Sequence, residues 1–318
     1  MKSVPLNTAL WIVSLWAALV VPSVHATPAP LLQLDIAQAG SRLVSVGDRG
    51  SVFYSDDQGR QWHSAQVPSQ QLLTAVFFVD GQNGWAVGHD AQILHTSDSG
   101  AHWALQFEDP GRDAPLLDIY LRDRLHGFAV GAYGALLRTD DGGGHWQDIS
   151  DQLDNPEQLH LNAIAVVKGG ALFIVGEAGS LFRSIDQGAS WQRLALDYDG
   201  SLFGVLATAH ADTLLVFGLR GHLYRSTDNG DTWRAIEVGG DAPALTAGSV
   251  QADGSLVLVG NAGIVLRSDD DGQTFSSLQR PDRAALAAVS GTADGALVLV
   301  GQGGAQRVAA VGNPEPQP

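Results

Sequence analysis

Six aspartates recur at the same place in one short sequence pattern, and a repeated carboxylate of this kind could serve several kinds of chemistry. The pattern is Ser/Thr-x-Asp-x-Gly-x-x-Trp/Phe, and its aspartates are Asp57, Asp98, Asp141, Asp186, Asp228 and Asp270. Carboxylates bind divalent cations and act as general acids or bases. In a turn, an aspartate more often accepts hydrogen bonds from the backbone N–H groups of that turn. Because the whole pattern recurs, we interpret the six aspartates as structural and call these segments the aspartate turns.

Each aspartate turn also carries a glycine and an aromatic residue at fixed spacing. The aromatic residues are Trp62, Trp103, Trp146, Trp191, Trp233 and Phe275. Glycine tolerates the positive φ that closes a hairpin, and a large ring can fill the space between neighbouring sheets. The pattern therefore predicts a strand–turn–strand unit that is held by its aspartate and anchored by its aromatic ring.

Other residue sets that could support catalysis or bind metal are missing from the sequence. The chain has no cysteine, which excludes thiol catalysis, iron–sulfur clusters and cysteine-ligated zinc. Its 10 histidines show no HExxH pattern, and the acidic run 148–157 lacks the glycine and final glutamate of an EF-hand. We therefore expect no catalytic residues, no metal site and no cofactor.

The elements that position the aspartate turns form a regular repeat. A glycine that ends an apolar run recurs in steps of 41, 43, 45, 42, 42 and 41 residues, at Gly47, Gly88, Gly131, Gly176, Gly218, Gly260 and Gly301. A period of about 40 to 45 residues made of short apolar segments is typical of a four-stranded propeller blade. The sequence predicts an all-β, seven-bladed β-propeller with four-stranded antiparallel blades and aspartate turns between the third and fourth strands.

The repeat also predicts individual strands and one irregular blade. In the fourth repeat we expect strands at 161–167, 171–176, 180–185 and 191–196. The seventh repeat has neither an aspartate turn nor a final aromatic residue. Residues 27–31 could supply a missing outer strand, but two prolines make them poor members of a ladder. The closure of the ring is therefore not determined by the sequence.

The N-terminus resembles an export signal. Lys2 precedes an apolar run over 9–21 and the small-residue pattern that ends at Ala26. This run of about 13 residues is short of the roughly 20 needed to span a bilayer, although a retained anchor is the alternative. We expect a signal peptide over 1–26 with cleavage after Ala26, a propeller over 27–311, a disordered tail over 312–318, and a periplasmic or secreted protein.

Charge and loop composition indicate what the propeller could bind. The chain has 18 basic and 34 acidic residues, which disfavours nucleic acid and anionic lipid as partners. We call the face with the aspartate turns the turn face and the opposite one the loop face. The connections between blades, on the loop face, carry twelve acids against three arginines. Because binding residues concentrate on loops of rigid scaffolds, we predict partner contacts from Asp148, Asp151, Asp154, Glu157, Asp197, Tyr198, Tyr133 and Arg220.

The aspartate turns resemble the Asp-box, or BNR, repeat of sialidase-like propellers. The fuller repeat, with phrases such as 83–88 and 126–131, resembles the photosystem II stability and assembly-factor family, including its non-photosynthetic bacterial relatives. The resemblance implies a seven-bladed scaffold whose photosynthetic members hold a photosystem subunit through an arginine-rich patch. The regularly placed basic residues of this chain are predicted to pair with neighbouring acids; they are Arg138, Arg183, Arg225 and Arg267, with His95 and Tyr54 at the equivalent positions.

The functional hypothesis is a non-enzymatic exported scaffold that binds an envelope or inner-membrane protein and aids its assembly. By resemblance alone, an RND-type exporter is one candidate partner; we expect a monomer without a membrane span after signal removal. The alternative is a glycan-binding or sialidase-like propeller, for which Tyr133 and Tyr198 are the candidate contacts. Sialidase chemistry needs converging arginines and a tyrosine nucleophile, whereas Tyr54 and Tyr224 are predicted to pack within strands.

Overall fold

The structure, a computed structural model, describes residues 31–239 and 243–309 as a ring of seven antiparallel sheets. Six sheets have four strands each, and the seventh has three within the described residues. The first strands of all seven sheets contact one another around the ring and line a central channel. The predicted seven-bladed propeller is therefore confirmed. The predicted signal peptide over 1–26, residues 27–30 and the predicted tail lie outside the described residues.

The strands alternate with short turns in chain order. Blades one to four comprise β1 Gln33–Ala39, β2 Arg42–Gly47, β3 Val52–Ser55, β4 His63–Ser64, β5 Leu73–Phe78, β6 Gly84–Gly88, β7 Ile93–Thr96, β8 Ala104–Phe107, β9 Leu116–Leu121, β10 Gly127–Gly131, β11 Leu136–Thr139, β12 Gln147–Asp148, β13 Leu161–Val166, β14 Leu172–Gly176, β15 Leu181–Ser184 and β16 Gln192–Arg193. Blades five to seven comprise β17 Leu202–Ala207, β18 Leu214–Gly218, β19 Leu223–Ser226, β20 Arg234–Ala235, β21 Leu245–Val250, β22 Leu256–Gly260, β23 Ile264–Ser268, β24 Ser276–Gln279, β25 Leu286–Gly291, β26 Leu297–Gly301 and β27 Gly304–Val308.

Short 3₁₀ turns join the second and third strands of six blades on the loop face. They are Asp48–Gly50, His89–Ala91, Ala132–Gly134, Glu177–Gly179, Leu219–Gly221 and Asn261–Gly263, and two further 3₁₀ turns lie between blades at Pro110–Arg112 and Ser150–Gln152. The glycine that precedes each of the six turns lets two backbones approach closely. A Cβ on Gly176 would lie 2.1 Å from the His160 carbonyl oxygen. This steric requirement explains the glycine that marks every repeat in the sequence.

Each second strand is buried along its whole length except for the first residue of β2. Burial on both faces explains why these strands appear in the sequence as continuous apolar runs rather than as alternating patterns. The fourth strands are shorter than expected: the strand predicted over 191–196 is β16, Gln192–Arg193. Trp191 lies before it and packs against Phe128 of the preceding blade, with ring centroids 5.9 Å apart.

The aspartate turns form as the sequence predicts. In the fourth blade, Asp186 Oδ1 accepts the backbone N–H of Ser190 at 2.9 Å and the hydroxyl of Ser184 at 2.8 Å. The Ser184 hydroxyl oxygen in turn accepts the N–H of Gly188 at 2.8 Å. The Ser190 hydroxyl donates to Asp186 Oδ2 at 2.6 Å, and this hydrogen bond, followed by those to Oδ1, lowers the pKa of Asp186 to about 2. The aspartate therefore holds its own turn, which is the structural role expected of it.

The ring closes by packing between the seventh and first blades. Ile36 and Leu43 share an apolar cluster with Val298. The Gln38 side-chain amide donates to the Gly291 carbonyl at 2.8 Å, across the same junction. The sequence did not determine this closure, because the contacts join residues more than 250 positions apart.

Polar side chains on the first strands fasten neighbouring blades around the channel. Asp35 accepts the N–H of Val76 in the next blade at 2.8 Å, and Asp118 accepts that of Ile164 at 2.8 Å. Burial raises the pKa of both Asp35 and Asp118 to about 7, against the lowering effect of these hydrogen bonds. Thr74 makes a related contact by donating to the Leu116 carbonyl at 2.6 Å.

Candidate functional site

The predicted partner-binding residues lie on the loop face in two neighbouring groups. Tyr133, Asp151 and Asp154 line one pocket of about 400 Å³ beside the loop that joins the third and fourth blades. Asp197, Tyr198 and Arg220 lie at the junction of the fourth and fifth blades; Asp197 and Arg220 are exposed and Tyr198 is half-buried. Glu157 is exposed in the same long loop as Asp151 and Asp154. The structure thus brings three of the eight residues into one pocket, and the other five are not among the residues that line it.

Asp148 has a structural environment that the other predicted acids lack. It forms an ion pair with Arg112, and its Oδ1 accepts both the N–H and the hydroxyl of Ser150. Burial opposes ionisation, but the Ser150 hydrogen bonds and the nearby Arg112 lower the pKa of Asp148. Asp148 therefore stabilises the start of its loop, and its carboxylate already binds Arg112 and Ser150 rather than being available to a partner.

Two aromatic groups lie on the loop face. Tyr133 is 61% exposed in a left-handed conformation (φ 55°), and its ring meets His160 edge-on at 5.1 Å. Tyr198 packs against His222 with centroids 4.4 Å apart, and its hydroxyl donates to the Leu219 carbonyl at 3.1 Å. Burial raises the pKa of Tyr198. Tyr133 is thus the freely presented ring, and Tyr198 is partly committed to its own blade.

A cleft of about 720 Å³ opens on the opposite, turn face, between the third and fourth blades. One wall is a cross-strand row of the third blade, in which Phe128 is paired with Tyr120 on one side and with Arg138 on the other. Val166 and Leu172 of the fourth blade supply more apolar surface. Because these residues lie in register on one side of their sheets, the cleft combines an apolar floor with a polar rim.

Three cations stand at the rim of this cleft: Arg122, Arg138 and Lys168. Apart from Lys2, Lys168 is the only lysine in the sequence. In the described part of the chain it has no carboxylate within ion-pair distance, and its Nζ donates to the Ala209 carbonyl at 3.2 Å. The rim also includes Asp140 and Asp186. The cleft is therefore less acidic than the chain as a whole.

At five other junctions between blades, a hydrogen bond links a side chain of one blade to the aspartate turn of the next blade. The side chain donates to the carbonyl of the residue before the turn glycine, and we call this contact the strap. Among the described residues the straps are Arg42 to Ser99 at 3.3 Å, Gln106 to Gly142 at 2.8 Å, Arg183 to Asn229 at 2.7 Å, Arg225 to Asp271 at 2.8 Å and Arg307 to Gln58 at 2.8 Å.

The junction at the cleft lacks this strap in the described structure. Arg138 occupies the third-strand position from which Arg183, Arg225 and Arg307 donate, and the equivalent acceptor is the Gln187 carbonyl. Arg138 instead turns back to its own blade, where Nε and Nη2 both donate to Asp140 Oδ1 at 3.0 and 2.8 Å. Arg122 contacts the Gln187 side-chain oxygen instead. The cleft therefore lies where Arg138 does not cross to the next blade.

The expectation that the regular arginines pair with neighbouring acids is correct, but the structure separates them into two kinds. Arg138 and Arg267 bond to an aspartate two residues later, Asp140 and Asp269. Arg183 and Arg225 are followed at that position by Ile185 and Thr227, and they reach the next blade. The cleft was not predicted from the sequence, although Asp140, two residues after Arg138, marks the junction at which the strap is not made.

Comparison with known proteins matches the chain to one sequence family and to solved structures. Residues 109–315 match the sequence model of a family described as photosynthesis system II assembly factor YCF48. No curated protein sequence matches the chain. Among solved structures, the chain is similar to YCF48 bound to D1 peptide, with 20% identity and a TM-score of 0.70 over 87% of this chain and 93% of that chain.

Two further solved structures show how widely this fold is shared. YCF48 from Cyanidioschyzon merolae is 17% identical, with a TM-score of 0.69 over 87% of this chain and 94% of that chain. A streptogramin B lyase is 12% identical, with a TM-score of 0.75 over 88% of this chain and 94% of that chain. Identities this low support the fold alone, and since a lyase shares it, the fold does not determine the function.

Proposed function

The chain belongs to the family of photosynthesis system II assembly factor YCF48, and from this membership we propose that it is a non-enzymatic scaffold that binds a segment of a partner protein. One solved YCF48 structure is described as bound to D1 peptide. A bound peptide in a relative supports a role in holding part of another chain during assembly. Sequence identity to that relative is only 20%, so the partner of this chain is a separate question.

The observation that carries the proposal is the cleft between the third and fourth blades. Its volume of about 720 Å³ lies within the roughly 300–1,000 Å³ of typical ligand sites. Tyr120 and Val166 are half-buried and offer apolar surface above the buried Phe128 and Leu172, while Arg122 and Lys168 offer donors at the rim. An apolar floor with a few placed polar groups is the arrangement that binds a short peptide segment and fixes its orientation.

We also propose that the protein acts in the periplasm and that its partner is an envelope or inner-membrane protein. The export signal predicted over 1–26 supports this location. Within the described residues, no helix is both long and apolar enough to cross a membrane. An RND-type exporter stays one candidate partner, on resemblance to relatives outside phototrophs.

The loop face is proposed as a second contact surface for that partner. Asp151, Asp154 and Glu157 are exposed there, and Tyr133 presents a free ring beside them. Loops held by a rigid ring can contact a partner without disturbing the core. Asp148 is left out of this surface because Arg112 and Ser150 occupy its carboxylate.

A second candidate function is glycan binding, and one observation favours it. The rings of Tyr198, His222 and Tyr224 lie side by side at the loop face, with His222 and Tyr224 nearly parallel at 6.3 Å. Adjacent aromatic faces can stack on apolar faces of sugar rings. Binding to a glycan array that is lost in Tyr198→Ala, without recovery of a protein partner, would replace the scaffold proposal.

The scaffold proposal is tested by affinity capture from envelope extracts with a cleft-blocking variant. Ala189 is exposed at the mouth of the cleft, and its equivalents in other aspartate turns are as large as Arg60 and Gln273. Ala189→Trp should therefore fold normally and lose the captured protein. Ala101→Trp, at the same position of the second blade, is the matched control and should retain it. Equal capture by both variants would contradict cleft binding, and turnover of a fluorogenic sialoside would contradict the non-enzymatic role.

A further inference from the structure

We propose that the cleft selects an extended acidic peptide segment and that Arg138 is the residue that binds its carboxylate. This inference rests on the proposed function, because it names the chemistry of the segment that the scaffold would hold. Arg138 moves from Asp140 to the carboxylate of the bound segment. The cation that elsewhere fastens two blades together is thus used here to bind a ligand.

Arg138 differs from the arginines at the same position of other blades in its exposure and its contacts. Arg183 and Arg225 reach the next blade and are only 12% and 16% exposed. Arg138 lies on the same row of its blade but is 37% exposed, and it has no contact across the junction in the described residues. A guanidinium released from the strap and left partly exposed can change partner at low cost.

The ion pair between Asp140 and Arg138 is open to solvent. Asp140 Oδ1 accepts both Nε and Nη2, but it is itself 53% exposed. An ion pair this open to water contributes little to stability. A carboxylate brought into the more enclosed cleft can therefore compete with Asp140 for Arg138, especially when it accepts two parallel N–H groups.

Charge and shape complementarity also favour an acidic segment. Lys168 stands on the same rim and has no carboxylate within ion-pair distance among the described residues, whereas Arg122 is paired with Asp123, so a segment with two acids would find Arg138 and Lys168. Asp186 is ionised on this rim, since hydrogen bonds lower its pKa to about 2, and it opposes a carboxylate placed beside it. Tyr120 and Val166, both half-buried, favour an apolar side chain between the acids. The occupant is therefore an extended segment in which acidic and apolar residues alternate.

The experiment uses the full mature protein and a phage-displayed library of random heptapeptides as the probe. Selection on the wild-type protein should enrich peptides that alternate Asp or Glu with aliphatic or aromatic residues. A synthetic, fluorescein-labelled copy of the most enriched peptide should then bind about ten-fold more weakly to Arg138→Gln, as expected for a lost charge-assisted contact. Arg225→Gln removes an equivalent arginine away from the cleft and should leave the affinity unchanged.

A second variant tests the role of Asp140. Asp140→Thr places the residue of the fifth blade, Thr227, at this position. Arg138 should then reach the Gln187 carbonyl and be withdrawn from the cleft, so the peptide should bind several-fold more weakly while the protein unfolds at a higher temperature. Tighter binding by Asp140→Thr would show that Arg138 does not form a strap and would overturn this part of the proposal.

Two other outcomes would overturn the ligand chemistry. One is enrichment of basic or purely apolar peptides; the other is equal affinity of the selected peptide for the wild-type protein and Arg138→Gln. Neither outcome bears on the scaffold role, which fails separately if Ala189→Trp and Ala101→Trp capture the same envelope protein equally well. The two proposals are thus tested by different variants and different probes.

Discussion

Replacing Arg225 by alanine should lower the free energy of unfolding by about 1.5–3 kcal/mol, whereas Arg138→Ala should lower it by less than about 1 kcal/mol. Arg225 is 16% exposed and donates to the Asp271 carboxylate at 2.6 Å and to its carbonyl at 2.8 Å. Removing the Arg225 side chain leaves the partly buried Asp271 carboxylate without this cation. Arg138 is 37% exposed and donates only to one oxygen of Asp140, so in Arg138→Ala water can replace most of the hydrogen bonds that this oxygen loses.

The assay is urea unfolding followed by tryptophan fluorescence, since tryptophans pack between blades around the ring. The midpoint should fall for Arg225→Ala with little change in the slope, because the surface exposed on unfolding is the same. Thr227→Asp should reproduce the loss by giving Arg225 an acid two residues away. Equal destabilisation by Arg225→Ala and Arg138→Ala would refute the distinction between strapped and unstrapped junctions.

Two further predictions concern other parts of the ring. Asp270→Ala removes four hydrogen bonds from Ser268, Gln273 and Thr274, and thermal melting should show a loss of about 1–2 kcal/mol, limited by the exposure of the turn. Burial raises the pKa of Asp35 and Asp118 to about 7. In the unfolded chain these carboxyl groups lose their protons at lower pH, so the free energy of unfolding should fall as the pH rises from 4 to 7. The double variant Asp35→Asn, Asp118→Asn should show a smaller difference in the free energy of unfolding between pH 5 and pH 7.5, measured by urea unfolding at each pH. An unchanged difference would contradict the prediction.

Much of the fold could be predicted because each blade repeats the same local chemistry. The glycine spacing follows from a close backbone contact, as between Gly176 and His160, and the aspartate turns from hydrogen bonds within a few residues. Such constraints are local and recur, so the sequence displays them. Ring closure could not be predicted, because Gln38 and Gly291 meet only when all seven blades are in place.

The candidate site was less predictable for a related reason. The loop face was the predicted site because its residues do not repeat, and in the structure one of them, Asp148, is held by Arg112 and Ser150. The cleft depends on the direction that one arginine side chain takes, which is set by the acid two residues later. That signal is present in the sequence as Arg138 and Asp140, but its meaning requires the strap geometry of the other junctions.

The most direct test of the scaffold account is amide hydrogen exchange of the full protein with and without its captured partner. Binding in the cleft predicts slower exchange over 166–170 and 186–189, and the same protection should be missing in Ala189→Trp. Lys168 should also become resistant to an amine-reactive reagent when the partner is bound. Protection confined to the loop face over 148–157 and 197–199, with Lys168 equally reactive in both states, would contradict the account.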